Sequence, residues 1–272
     1  MFFYPLNLAA FVFILFGSLM GTSPAQAKDF LICHEMAPLP PYWTDQSKSH
    51  PGQLIGVVPK ILTEAITNAG LKPVFVAYPW KRCLKLLERN EVDGLFASIY
   101  RKNRKTIGRY PMVNGKEDKS RHLIKATYSV FSSASNPVDW DGNFKEGTPP
   151  TIGAPLGYVV VTTLKDEHNI KAETAYLAVE ALRLVSIRRL DGHIIEKVGG
   201  QLLLRQQGLE KKVIPLEPPF SQHYLHFMIS HKFYDATPQV AETIWDQIKD
   251  QRLQNLDRLI NDFMNDNASP KL

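Results

Sequence analysis

The spacing of hydrophobic residues changes along this chain, and the changes mark its elements. FLICHE (30–35) is a short apolar run that predicts a buried strand. KPVFVAY (72–78), β-branched and aromatic, predicts a second. Between them, VVPKILTEAITNAG (57–70) places Val58, Ile61, Leu62, Ala65 and Ile66 on one helical face, and Gly70 suits a C-terminal stop. Pro79 sits at a favoured first-turn position, and Trp80, Leu84 and Leu87 follow at helical spacing up to Asn90. VDGLFASI (92–99) predicts the third strand. Strand–helix–strand–helix–strand with short right-handed connections gives a parallel sheet with the first strand in the middle. Small ligands bind such sheets at the carboxyl ends of the strands, where the loops PPYWTD (40–45) and SIYRKNR (98–104) converge.

Beyond residue 105 the pattern repeats less cleanly. HLIKATYSVFSS (122–133) and HYLHFMISHKF (223–233) predict long strands, and SNPVDWDGNFKEGTPP (135–150) a polar connector. PTIGAPLG (150–157) predicts a strand and glycine turn, followed by a helix to about Asp166. AYLAVEALRLVSI (175–187) has helical spacing and LDGHIIE (190–196) reads as a short strand. From 238 to 264 an amphipathic helix buries Val240, Ile244, Ile248, Leu256, Leu259 and Phe263. Two long strands bracketing a second α/β unit predict an α/β protein of two lobes, each a mainly parallel sheet flanked by helices, joined by two crossing strands. The expected boundaries are 1–27 for a leader, 28–125 for the first lobe, 126–225 for the second, and 226–272 for the return.

The leader is distinct in composition. Leu6 to Met20 is almost wholly apolar, and Ala25-Gln26-Ala27 is a small-x-small cleavage pattern. This predicts a secretory signal peptide cleaved after Ala27 and a periplasmic protein, although MFFYPLN carries no Lys or Arg. An uncleaved anchor is the alternative, for which the run is short. The net charge of +5 is scattered, with no single basic tract, which argues against nucleic-acid binding. Two cysteines, Cys33 and Cys83, form either a disulfide, favoured in an exported chain, or a pair of buried thiols. Neither belongs to a CxxC pair, and His223 and His226 would point to opposite faces of a strand, so no metal or redox cofactor is expected.

Several stretches, in order, resemble the family 3 extracellular solute-binding proteins, the periplasmic receptors of amino-acid-type ABC importers. They are PPYWTD, GVVPKILTEA, PW with a helix running to ERNEVDGLFAS, Arg104 followed by RYP (109–111), TIGAPLG, RRLDGHIIE and FMISHKF. The resemblance spans roughly 30 to 265, and the PWKRC opening marks a divergent branch. It implies a type II periplasmic binding fold that closes on a small-molecule ligand (an amino acid or related carboxylate) and delivers it as a monomer to a membrane permease.

It also implies roles for residues. Arg104 matches the arginine that grips the ligand carboxylate with its two-pronged guanidinium. Ser98 matches a ligand-contacting position, and Gly157-Tyr158 stands where the family has a glycine and a small hydroxyl. Glu196 matches the acid that holds the ligand amine. Trp80 either walls the pocket or packs the core, and Tyr42, Trp43 and Tyr100 add aromatic surface. Arg101 departs from the family's Ser or Thr and adds a bulky cation expected at the pocket mouth. No catalytic residue is assigned. A dehydratase-like enzyme drafting Glu196 or His193, or a sensory ligand-binding module, is the alternative.

Overall fold

The computed structural model describes residues 1–2, 27–45, 54–145 and 147–266. The expected signal peptide, apart from its two ends, lies outside the described residues. Among them, no helix is long and apolar enough to cross a membrane.

The amino-terminal part follows the hydrophobic pattern closely. β1 (Asp29–Glu35), α1 (Val57–Asn68), β2 (Lys72–Tyr78), α2 (Trp80–Glu88) and β3 (Gly94–Ile99) appear in the expected order. β1 pairs in parallel with both β2 and β3, so the first strand lies in the middle. A 3₁₀ turn at Lys102–Thr106 and a hairpin of β4 (Met112–Val113) and β5 (Lys116–Glu117) lead to β6 (Ile124–Ser133). Then come β7 (Ile152–Gly153), α3 (Val159–His168), α4 (Ala178–Ser186), β8 (Gly192–Glu196), α5 (Lys197–Gln207), β9 (Val213–Pro215), β10 (Ser221–Ile229), α6 (His231–Ala236) and α7 (Pro238–Asp266).

The sheet corrects the expectation of separate, mainly parallel sheets. A single eight-stranded mixed sheet runs β2-β1-β3-β10-β6-β8-β7, with β9 also paired to β6. β10 joins the two ends because it pairs antiparallel with β3 on one side and β6 on the other. β6 is antiparallel to β8 and β9, and only β7–β8 is parallel in that half. The long strand expected over 223–233 is also shorter. Ser230 ends it by accepting a hydrogen bond from Phe233 N–H as the cap of α6.

Two details shape the sheet around β1, β3 and β10. Between His226 and Met228 the β3–β10 ladder loses register, leaving Phe96 and Ala97 opposite Phe227 alone. Ala97 adopts φ 64 in this bulge, a left-handed conformation unusual for a residue with a Cβ. The Phe227 carbonyl accepts from the indole N–H of Trp245 in α7, at 2.8 Å. Nearby, Cys33 at the end of β1 is disulfide-bonded to Cys83 in α2, with their Cα atoms 5.5 Å apart. The pair is buried in a small cluster with Trp80, Leu87, Leu95, Tyr110 and Met228, separate from the main core.

Candidate functional site

α2 has no side-chain cap of its own, since Pro79 precedes it. Its first amide is satisfied from a distance: the Glu35 carboxylate at the end of β1 accepts from Trp80 N–H at 2.9 Å and from Ala37 N–H at 3.2 Å. This fixes Trp80 at the sheet edge, with only 6% of its surface exposed. Burial raises the Glu35 pKa above its usual value, partly offset by those amide bonds.

Arg104 reaches the same place from the 3₁₀ turn. Its Nη1 donates to the Ile99 carbonyl at 3.2 Å and approaches Ser98 Oγ at 3.5 Å, and its Nη2 donates to the Gly157 carbonyl at 3.4 Å. The guanidinium lies 5.6 Å from the Trp80 ring centre. Gly157 is required here for two reasons. Its φ is +82, and an added Cβ would lie 3.3 Å from Trp80 Cδ1 and 3.1 Å from Lys81 Cγ. Tyr158 packs edge-on against Trp80, with ring centres 6.3 Å apart. The Trp80 indole N–H is buried and has no hydrogen-bond partner among the described residues.

These groups enclose two adjoining cavities. The inner, of ≈ 20 Å³, is lined by Arg104, Trp43, Trp80, Phe96, Tyr128 and Tyr158, with Glu35 at its edge. That is room for about one water. The outer, of ≈ 190 Å³, shares Glu35, Trp80, Tyr128 and Tyr158 and extends to Glu196 and an apolar rim. Glu196 ends β8, is 2% exposed, and caps α5 by accepting from Gly199 N–H at 2.8 Å. Burial raises its pKa, opposed by the Gly199 and Val198 amides and the Tyr42 hydroxyl.

Of the residues expected to meet a ligand, Arg104, Trp80, Glu196 and Tyr158 come together around these cavities, and Gly157 contributes its carbonyl to Arg104. The others stand elsewhere. Tyr42 is buried behind Glu196. Ser98 is fully buried, with Oγ 2.7 Å from the Tyr110 hydroxyl. Tyr100 stacks edge-on against Tyr110 and, with Arg101 and His223, lines a separate open groove. The bulky cation therefore does not stand at the mouth of these cavities, because the bulge at Ala97 turns the chain before Tyr100. His193, fully enclosed beside Gly153, has its pKa lowered to about 4 by burial and does not line either cavity.

Among the lining residues that sequence reasoning did not assign, Glu35 and Tyr128 stand at both cavities. Glu35 reads as a polar strand end, and its only signal was its place before a proline-rich loop. Tyr128 sits in the middle of a strand and meets Glu196 only through the β6–β8 pairing.

No protein-family model and no curated protein matches the sequence. Solved structures do match in shape. An amino acid ABC transporter substrate-binding protein from Streptococcus pneumoniae, bound to L-arginine, superposes with TM-score 0.71 at 12% identity, covering 89% of this chain and 96% of that one. A histidine kinase sensor domain with similarity to periplasmic binding proteins gives 0.69 at 13%, covering 87% and 95%. An ancestral amino-acid-binding protein, a precursor of cyclohexadienyl dehydratase, gives 0.65 at 14%, covering 88% and 94%. The chain therefore has the α/β fold of the periplasmic binding proteins, of the type seen in amino-acid ABC transporter substrate-binding proteins.

Proposed function

We propose that this chain is an exported, periplasmic solute-binding receptor. It captures a small polar solute of the amino-acid class by hinge closure and hands it, as a monomer, to an ABC-type permease. In this reading, 28–125 with 226–272 forms one lobe and 126–225 the other, and β6 and β10 carry the hinge. One observation carries it: Arg104, anchored beside β3, donates to the Gly157 carbonyl in the glycine turn before α3, across cavities walled by Trp80 and Tyr158. A ligand touching both sides would favour the shut state by its differential affinity for it.

Thermal-shift screening against amino acids, polyamines and small acids tests the reading, because a ligand bound only by the folded state raises the melting temperature by mass action. Arg104→Ala is expected to abolish most of that shift and leave the unliganded melt nearly unchanged. An unaltered solute response in this variant would remove Arg104 from the site.

Two readings on the same scaffold have specific support. The likeness to a kinase sensor domain favours sensing, and neighbouring permease genes would favour transport instead. The raised pKa of buried Glu196 would suit the general acid of a dehydratase, which an assay for turnover of prephenate or arogenate would detect.

A further inference from the structure

The outer cavity has a charge balance and a shape of its own. Two carboxylates, Glu35 and Glu196, line it, and Lys81, itself exposed, is its one lining cation among the described residues. Arg104 lines the inner cavity, where Nη1 donates to the Ile99 carbonyl and Nη2 to the Gly157 carbonyl. An ionised carboxylate withdrawn from water needs a partner, and burial raises the pKa of both acids. Trp80, whose indole N–H is buried and has no hydrogen-bond partner among the described residues, forms part of the cavity wall. At the mouth, Leu156, Tyr176 and Leu177 are 51%, 42% and 59% exposed, a cluster of large apolar side chains at one opening.

We infer that the outer cavity binds a monocationic primary amine that carries an apolar body. The ammonium meets Glu35 and Glu196, and the apolar body lies against Leu156, Tyr176 and Leu177. A carboxylate on the same molecule would add a third anion to a site with little positive charge. This inference rests on the receptor reading and narrows its solute class.

Three probes of nearly equal shape separate charge from shape: phenylalaninol, a cation; phenylalanine, a zwitterion; and 3-phenylpropionate, an anion. Calorimetry on the full mature chain is expected to give phenylalaninol a Kd at least tenfold below that of phenylalanine, with no measurable binding of 3-phenylpropionate. Glu196→Gln, which retains an oxygen to cap α5, is expected to erase the preference for phenylalaninol. Leu156→Ala, at an exposed rim position, is expected to weaken phenylalaninol severalfold without moving the unliganded melt. Phenylalanine or 3-phenylpropionate binding as tightly as phenylalaninol overturns the inference, and so does tight binding of some other solute by a protein that ignores all three probes. Both results leave the receptor reading standing. A protein that responds to no solute in the wider panel removes the receptor reading and this inference together.

Discussion

The two cavities share a wall and differ in almost everything else. The inner is water-sized, and Arg104 in its lining is bonded to the Ile99 and Gly157 carbonyls. The outer is ≈ 190 Å³, has an apolar rim and is lined by two carboxylates, Glu35 and Glu196, with the exposed Lys81 as its one lining cation among the described residues. The inner has room for about one water, and the outer has room for a small solute.

The largest expected effect strikes the shared wall. The Cys33–Cys83 bond, 50 residues apart in sequence, ties the strand bearing Glu35 to the helix bearing Trp80. Replacing both cysteines with serine is expected to lower stability by about 4 kcal/mol, read from denaturant midpoints, and to impair both cavities equally. Gly157→Ala acts on the inner cavity. Its strained φ and the crowding of Trp80 are expected to cost about 1–2 kcal/mol and to weaken solute binding by about tenfold. Solute affinity equal to wild type would mean that the Arg104–Gly157 contact has no part in closure.

Ala97→Gly removes the Cβ from a left-handed backbone at the inner cavity and is expected to gain up to about 1 kcal/mol without altering solute preference, whereas Ala97→Val should lose stability. The smallest effect sharpens the comparison from the outer side. Burial raises the Glu196 pKa above 4.5, so the folded state binds its proton more readily than the unfolded chain does. The stability this gives is complete below about pH 4.5 and is lost as pH rises through the folded-state value. Glu196→Gln should therefore melt progressively higher than wild type as pH rises from 4 to 7 in the unliganded protein. A flat or opposite trend would mean that its carboxylate is well solvated.

Local pattern was readable where neighbours in sequence are neighbours in space. The buried face of α1, the order β2-β1-β3 and the helix opening at Trp80 all follow from short-range periodicity and punctuation. What went unread depends on distant pairing. α5 was missed because it carries Gly199 and Gly200, poor helix formers, whose absent side chains admit Leu39 and Phe131 at close range. Glu35 and Tyr128 became site residues only when β1, α2, β6 and β8 met. Tyr100 was misplaced because nothing local announces the bulge at Ala97.

That bulge leans on something remote. The Phe227 carbonyl opposite the bulge accepts from an indole of the last helix, Trp245 of α7. Shortening the protein ahead of Trp245 would strip that oxygen of its donor. The cost would then surface far from the missing segment, as a slackened strand end beneath the guanidinium of residue 104.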